Sequence, residues 1–280
     1  MYGHFFMIML LAFFLMQSNE RYLEFPMSFI FVFQFKREVY MDKSSLKISI
    51  ITVCFNASNT IEETIISVVK QTYKNIEYII IDGGSSDQTN NIIDKYSEFI
   101  SYYCSEPDDG IYDAMNKGLE YVTGDYVLFL GADDHLISYS VIEQVCNKIL
   151  LYNEEKVFYG DVFRPILNDI YCNRFTKIKL AVKNIPHQGV FYPRCVYKRY
   201  KYDLKYNLFA DYYYNISLFS RIGFEYLGLT ISYFNDLGSS ARLNDLNFEK
   251  DEKKIKISKL GYLPFLYSEL YHFLRNLIKK

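Results

Sequence analysis

The chain has 280 residues, a formal net charge of -2, and is half hydrophobic and 23% charged. That length suits one large domain, or one domain with a small appendage, and the composition excludes wholesale disorder. The near-neutral balance argues against nucleic acid as a partner, because a general binder carries a strong basic excess.

Tyr and Phe are abundant (28 and 23) and Trp is absent. Such rings serve a core or stack on flat ligands, and their number alone does not choose. The five cysteines, Cys54, Cys104, Cys146, Cys172 and Cys195, contain no C-x-x-C pair, so no zinc knuckle or redox motif is expected. An odd, scattered set suits a reducing cytosol. Four histidines make a multi-His metal site unexpected.

Residues 5–16 form an apolar run too short for a bilayer span, which needs about 20 residues, and no Lys or Arg precedes it. A second apolar patch covers 29–35. Residues 1–45 therefore read as an N-terminal extension. The favoured expectation is a mis-start, with translation beginning at Met41 or Met27; a membrane-associating segment and a cleaved signal are the alternatives.

The segment 47–54, KISIITVC, is a continuous β-branched run, the pattern of a strand buried on both faces of a parallel sheet. A turn-rich loop, FNASN, precedes a helix over 60–73, where Thr60 and Glu63 make a candidate capping box. A second buried strand spans 76–81 and ends at Asp82. A helix over 90–97, a strand over 99–104, a turn at SEPDDG and a helix over 111–122 follow, with Gly118 a tolerated weak point. A fourth strand, 126–130, leads into Gly131-Ala132-Asp133-Asp134, and a helix is expected over 139–151.

This alternation predicts an α/β fold with a mostly parallel sheet flanked by helices. Past residue 157 shorter strand-like pieces, 157–163 and 170–175, predict a small antiparallel part. In the last stretch, 260–280, Leu263, Leu266, Leu270, Phe273 and Leu277 fall at helical spacing. Residues 46–240 read as the main domain and 241–280 as an amphipathic helical tail. Such a stripe most often packs on a core, and its aromatic and lysine content also allows docking on an anionic membrane.

In doubly wound sheets ligands bind at the carboxyl ends of the strands. Asp82, Asp133 and Asp134 fall at such ends. Neighbouring carboxylates repel unless a cation or hydrogen-bond donors offset the repulsion, and an oxygen-rich site with few protein ligands suits Mg2+ or Mn2+. Neither G-x-x-x-x-G-K-[ST] nor G-x-G-x-x-G is present.

Four ordered segments, KISIITVCFN, IIIDGGSSDQT, EPDDGIYDAMNKG and GDYVLFLGADD, resemble family 2 glycosyltransferases, in particular the bacterial enzymes of capsule, colanic-acid-like exopolysaccharide and O-antigen assembly. The resemblance implies a GT-A (nucleotide-diphospho-sugar transferase) fold with a small antiparallel acceptor-side part. It implies inverting, metal-dependent transfer of a hexosyl-type sugar from a UDP- or GDP-sugar to a glycan or lipid-linked acceptor in cell-surface polysaccharide biosynthesis.

Position by position, it implies that Thr52, Phe55 and Asn56 contact base and ribose, and that Asp82 bonds the base. Asp113, Asn116 and Lys117 would flank the nucleotide and phosphates. Asp133 would contact ribose or metal, and Asp134 would be the safer metal ligand. In IPHQGVFYPR and LFADYYYN the resemblance puts His187 and Gln188 on the acceptor side and makes Asp211 the catalytic base, with Asp203 in reserve. Gly-Ala-Asp-Asp replaces a literal Asp-x-Asp, and Ala210 stands where many members have Glu. The implied location is the cytoplasm, with room for peripheral contact at the inner face of the plasma membrane.

Bland readings stand beside these. Asp133-Asp134 could cap a helix, Asp82-Gly-Gly could be a plain turn, and Tyr212 to Tyr214 suit a core. Two other functions compete: a nucleotide-cofactor methyltransferase, from the loose likeness of IIIDGGSSD to a strand and Gly-rich loop, and a catalytically inactive sugar-nucleotide binder.

Overall fold

Lys47 and the β-branched residues after it start the first strand of a nine-stranded sheet, seen in a computed structural model that describes residues 46–235 and 245–278. The expectations placed on residues 1–45, 236–244 and 279–280, the 240/241 domain boundary included, lie outside the described residues. Strands β1 (Ile48–Cys54), β2 (Ile76–Asp82), β3 (Tyr102–Ser105) and β4 (Tyr126–Gly131) pair in parallel in the order β3-β2-β1-β4. β1 and β4 are buried along their whole length, which is why they read as unbroken apolar runs.

Helices α1 (Ile61–Val69), α2 (Thr89–Asp94), α3 (Ile111–Tyr121) and α4 (Val141–Ile149) alternate with these strands. α3 lays Met115 and Leu119 on Ile51 and Ile81. It comes very close: a Cβ on Gly118 would stand 2.8 Å from Ile51 Cγ2. Gly118 is thus required by packing, and the weak point read from sequence is a contact point. The expected capping box at Thr60 does not form; Thr60 Oγ1 donates back to Ala57 O instead.

Beyond β4 the sheet changes direction. β8 (Val190–Pro193) pairs antiparallel to β4 and to β6 (Val157–Arg164). β7 (Asp169–Tyr171) makes a hairpin with β6, while β9 (Phe224–Tyr233) runs parallel to β6. The two-residue β5 (His135–Leu136) pairs with the end of β9 and ties the Asp133-Asp134 turn to it. This is the expected antiparallel part, enlarged by β8 and joined by β9, which is parallel to β6. The other elements are α5 (Lys177–Val182), α6 (Arg194–Tyr197), α7 (Ala210–Phe219), α8 (Leu246–Leu260) and α9 (Tyr262–Ile278).

At the strand ends away from the ligand rim, the Glu77 carboxylate gathers Lys47 Nζ, Ser49 Oγ and both the amide and hydroxyl of Thr123. One buried side chain thus staples β1, β2 and the turn into β4. Burial alone would raise its pKa, but these donors outweigh it and hold Glu77 down at about 2.

Candidate active site

Two loops, after β1 and β2, form one side of the rim at the carboxyl ends of the strands. Asp82, at the end of β2, has no exposed surface. Its oxygens accept from Ser85 N at 2.8 Å, from Ser105 Oγ at 2.6 Å and from the Ser85 hydroxyl. Asn56, in the left-handed region at φ 48°, accepts from Ser86 N at 2.9 Å and donates its own N–H to Ser85 Oγ at 2.7 Å. Ala57 N and Ser58 N bond to Thr89 Oγ1 and Asp87 Oδ2. The loops after β1 and β2 are thereby cross-linked. Gly83 lets the EPDDG loop come close as well, since a Cβ there would fall 2.5 Å from Asp108 Oδ2. Phe55 stands 64% exposed at the edge of this pair, a bare ring face where a flat base could stack.

The side chains expected on this side have partners within the protein. Thr52 is fully buried and its hydroxyl meets the buried Tyr78 hydroxyl at 3.1 Å, so its side chain does not reach the rim. The Asp82 carboxylate shapes the loop, with its acceptors already taken. Asn116 spends its amide on the Tyr202 backbone, donating to O and accepting from N, each at 2.9 Å. Lys117 is held by Glu106, Asp113 and the Pro107 carbonyl. Asp113 also accepts from Asp109 N. These three fix the EPDDG loop and the segment around Tyr202.

A cavity of about 510 Å3 opens where the sheet turns antiparallel. Asp133, Asp134, His187, Gln188 and Asp211, five of the expected site residues, all line it. Asp133 and Asp134 do not cap a helix, because α4 begins only at Val141. Gly131 is needed beside them: a Cβ there would lie 2.7 Å from Asp134 Oδ2 and 3.1 Å from Asp133 Oδ1.

Asp134 is buried, accepting from Gln188 Nε2 at 2.9 Å and from Asn235 N at 2.8 Å. Burial first, then the Asp133 charge, push its pKa up to about 6 against the pull of those donors. Asp133 is exposed and, among the described residues, accepts from Asn235 Nδ2 at 2.9 Å. The accessible carboxylate is therefore Asp133, with Asp134 behind it, the reverse of the expected emphasis. Among the described residues no three-ligand His, Cys, Asp or Glu cage exists, so a divalent ion here would rely on ligand oxygens besides Asp133.

Across the cavity, Asp211 sits in the first turn of α7. Its Oδ1 accepts from Tyr112 OH at 3.0 Å and Tyr212 N at 2.7 Å. Its Oδ2 accepts from Asn184 Nδ2 at 2.8 Å and faces His187 Nδ1 at 3.3 Å. Burial, then the Asp211 charge, hold the Tyr112 hydroxyl far above its ordinary range, so it stays a donor. His187 Nε2 is buried and has no partner among the described residues. Asp203, the reserve, is an exposed turn residue bonded to Lys205 N. Tyr212 and Tyr214 are buried as core.

Tyr112, Asn184 and Asn235 went unnoticed in the sequence. Tyr112 reaches a partner 99 positions away, Asn235 one 101 away and Asn184 one 27 away, and no local spacing signals such contacts.

The family model described as Glycosyl transferase family 2 matches residues 49–221. The chain is 32% identical over 197 residues to the "PGL/p-HBAD biosynthesis glycosyltransferase" of Mycobacterium tuberculosis, covering 68% of this chain and 77% of that one. In solved structures it is similar to S. aureus TarS in complex with UDP (TM-score 0.64, 15% identity, 76% of this chain), and it spans 65% of that chain. It is also similar to the mannosyltransferase PcManGT of Pyrobaculum calidifontis in complex with GDP-Man and Mn2+ (TM-score 0.60, 14% identity, 86% of this chain and 80% of that one).

The sheet with its carboxylate-lined rim is a GT-A fold, and the chain belongs to glycosyl transferase family 2. It is a glycosyltransferase, which removes the methyltransferase alternative.

Proposed function

We propose that the chain transfers a sugar, with inversion, from a UDP- or GDP-sugar to a hydroxyl of a glycan or lipid-linked acceptor in cell-surface polysaccharide or glycolipid assembly, at the inner face of the plasma membrane. The observation that carries the reading is the shared cavity with Asp133 and Asp134 on one wall and Asp211 on another. The naming of the mycobacterial relatives for PGL/p-HBAD biosynthesis supports a role in the assembly of a larger glycoconjugate. UDP bound to TarS and GDP-Man with Mn2+ bound to PcManGT support the donor class.

In this reading Phe55 stacks on the base, and Asn56 and Asp82 hold the loops that surround it. Asp113, Asn116 and Lys117 brace the phosphate side from behind. Asp133 would hold Mg2+ or Mn2+, its exposed oxygens being the hard donors such ions take, while Asp134, Gln188 and Asn235 fix its backbone turn. When bound, the ion offsets negative charge on the diphosphate leaving group.

The acceptor oxygen attacks the anomeric carbon as the bond to the phosphate oxygen breaks, and its proton passes to Asp211. Tyr112, Asn184, His187 and the Tyr212 amide fix the orientation of that carboxylate.

The orphaned His187 Nε2 favours a second reading, in which His187 takes the proton and Asp211 orients the ring. Asp211→Asn is expected to lower transfer by about 100-fold or more while leaving donor affinity intact. Product release and donor titration by calorimetry read the two quantities. Full activity in Asp211→Asn would dismiss both readings, and a wild-type chain that binds donor without turnover would make it an inactive binder.

A further inference from the structure

The stripe read from sequence as a core-packing face is turned outward. α9 buries Phe265 and Ser268, while Leu263, Leu270 (56% exposed), Phe273 and Leu277 face away from the protein. A second apolar group lies at the β6–β7 hairpin, where Ile166, Leu167 (58% exposed) and Ile170 project from the turn. α9 packs along α5, and Tyr171 of β7 reaches the same place, its hydroxyl donating to Asn184 O just past the end of α5 at 3.1 Å. Tyr171 in turn lies under the Arg164 guanidinium, 4.6 Å from its ring centre, and both line the active-site cavity. The two apolar groups thus belong to one edge of the molecule, beside the cavity mouth on the Asp211 side.

Charge selects the occupant. On α8, beside α9, Lys250, Lys253 and Lys254 line a groove floored by Ile257, and Lys253 Nζ stands 5.7 Å from the Phe265 ring. Asp251 and Glu252 of the same helix are neutralised by Lys205 and Lys256. Among the described residues Glu249 and Glu269 are the exposed acids of these two helices, and the exposed Asp169 of the hairpin is paired with Arg164. Apolar side chains beside a row of ammonium groups match the acyl boundary and anionic headgroups of a lipid surface.

We propose that α9 and the β6–β7 hairpin together seat the enzyme on an anionic bilayer, so that the acceptor side of the cavity opens at the headgroup layer. This rests on the lipid-linked acceptor reading above for its purpose and on the exposed edge for its geometry. Among the described residues no helix is long and apolar enough to cross a membrane, and the contact proposed is peripheral.

The chain has no Trp, so each introduced Trp is a unique reporter in the full-length protein. Leu270→Trp and Leu167→Trp are made separately, with Leu151→Trp as control on an exposed site at the end of α4, away from this edge. Each is mixed with vesicles of phosphatidylcholine and phosphatidylglycerol, with and without brominated acyl chains, and with phosphatidylcholine alone.

Positions 270 and 167 are expected to shift to the blue and be quenched by the brominated anionic vesicles, with position 151 unaffected. Leu270→Glu with Phe273→Glu should weaken vesicle binding roughly tenfold or more. Binding of the vesicles with no response at 270 and 167, equal response on phosphatidylcholine alone, or a concentration-dependent blue shift without vesicles (a second copy covering the face) overturns the proposal. The readout is independent of turnover, so failure of the transferase reading would leave it standing or falling by itself.

Discussion

The Asp211 carboxylate takes two donors on Oδ1, one on Oδ2, and the His187 ring at 3.3 Å. A carboxylate held this way has its aim set by the groups around it. His187→Asn is therefore expected to lower kcat by roughly 10- to 100-fold with donor KM unchanged, as loss of an orienting partner does. The same variant separates the two readings of the base: a loss of kcat as deep as that of Asp211→Asn would make His187 the base.

Across the cavity the exposed Asp133 and the buried Asp134 should also part company. Asp133→Asn is expected to weaken Mn2+-dependent UDP binding by roughly 10- to 100-fold, and Asp134→Asn by less, in calorimetric titrations with and without the ion. The opposite order would return the ligand role to Asp134.

At the scale of elements, the close approach of α3 to β1 has a cost that can be measured. Gly118→Ala would press a methyl group on Ile51, and a loss of about 1–3 kcal/mol is expected in urea unfolding. A neutral or stabilising result would mean the helix shifts without penalty. This half of the fold was readable because strands buried on both faces leave continuous β-branched runs, and each of the expected strands through β4 forms, β3 starting three residues later than read.

The second half was not readable. α7, ADYYYNISLF, is apolar on nearly every side and shows no clean period, and β9 reads FEYLGLTISY with a glycine in the middle. Asp211 stood out only through the family resemblance, because one acid in a Tyr-rich run carries no pattern. Gln188 was assigned to the acceptor side, yet its amide holds Asp134; the junction of β4 and β8 brings the two together, and no sequence period encodes that junction.

For the molecule as a whole, the Glu77 staple predicts an acid limit to stability. Its pKa is about 2 when folded against an ordinary 4.5. A depressed value contributes stability that is complete above pH 4.5 and is lost as pH falls from there toward 2. The contribution is at most about 3 kcal/mol. Denaturant midpoints at pH 6 and pH 3, for the native chain and Glu77→Gln, check it: the gap between the two proteins should narrow at the lower pH. Glu77 lies at the opposite strand ends from the catalytic cavity, so the substitution should leave donor affinity unchanged.

The lashing of the Asn56 loop to the Ser85–Asp87 loop bears on how a nucleotide is received. Backbone amides and short hydroxyl side chains have already surrendered their freedom there before any guest arrives. Capture of the base then resembles a key entering a cut lock, with little chain ordering to set against the attraction between ring and base. The association rate should accordingly be governed by collision rather than rearrangement.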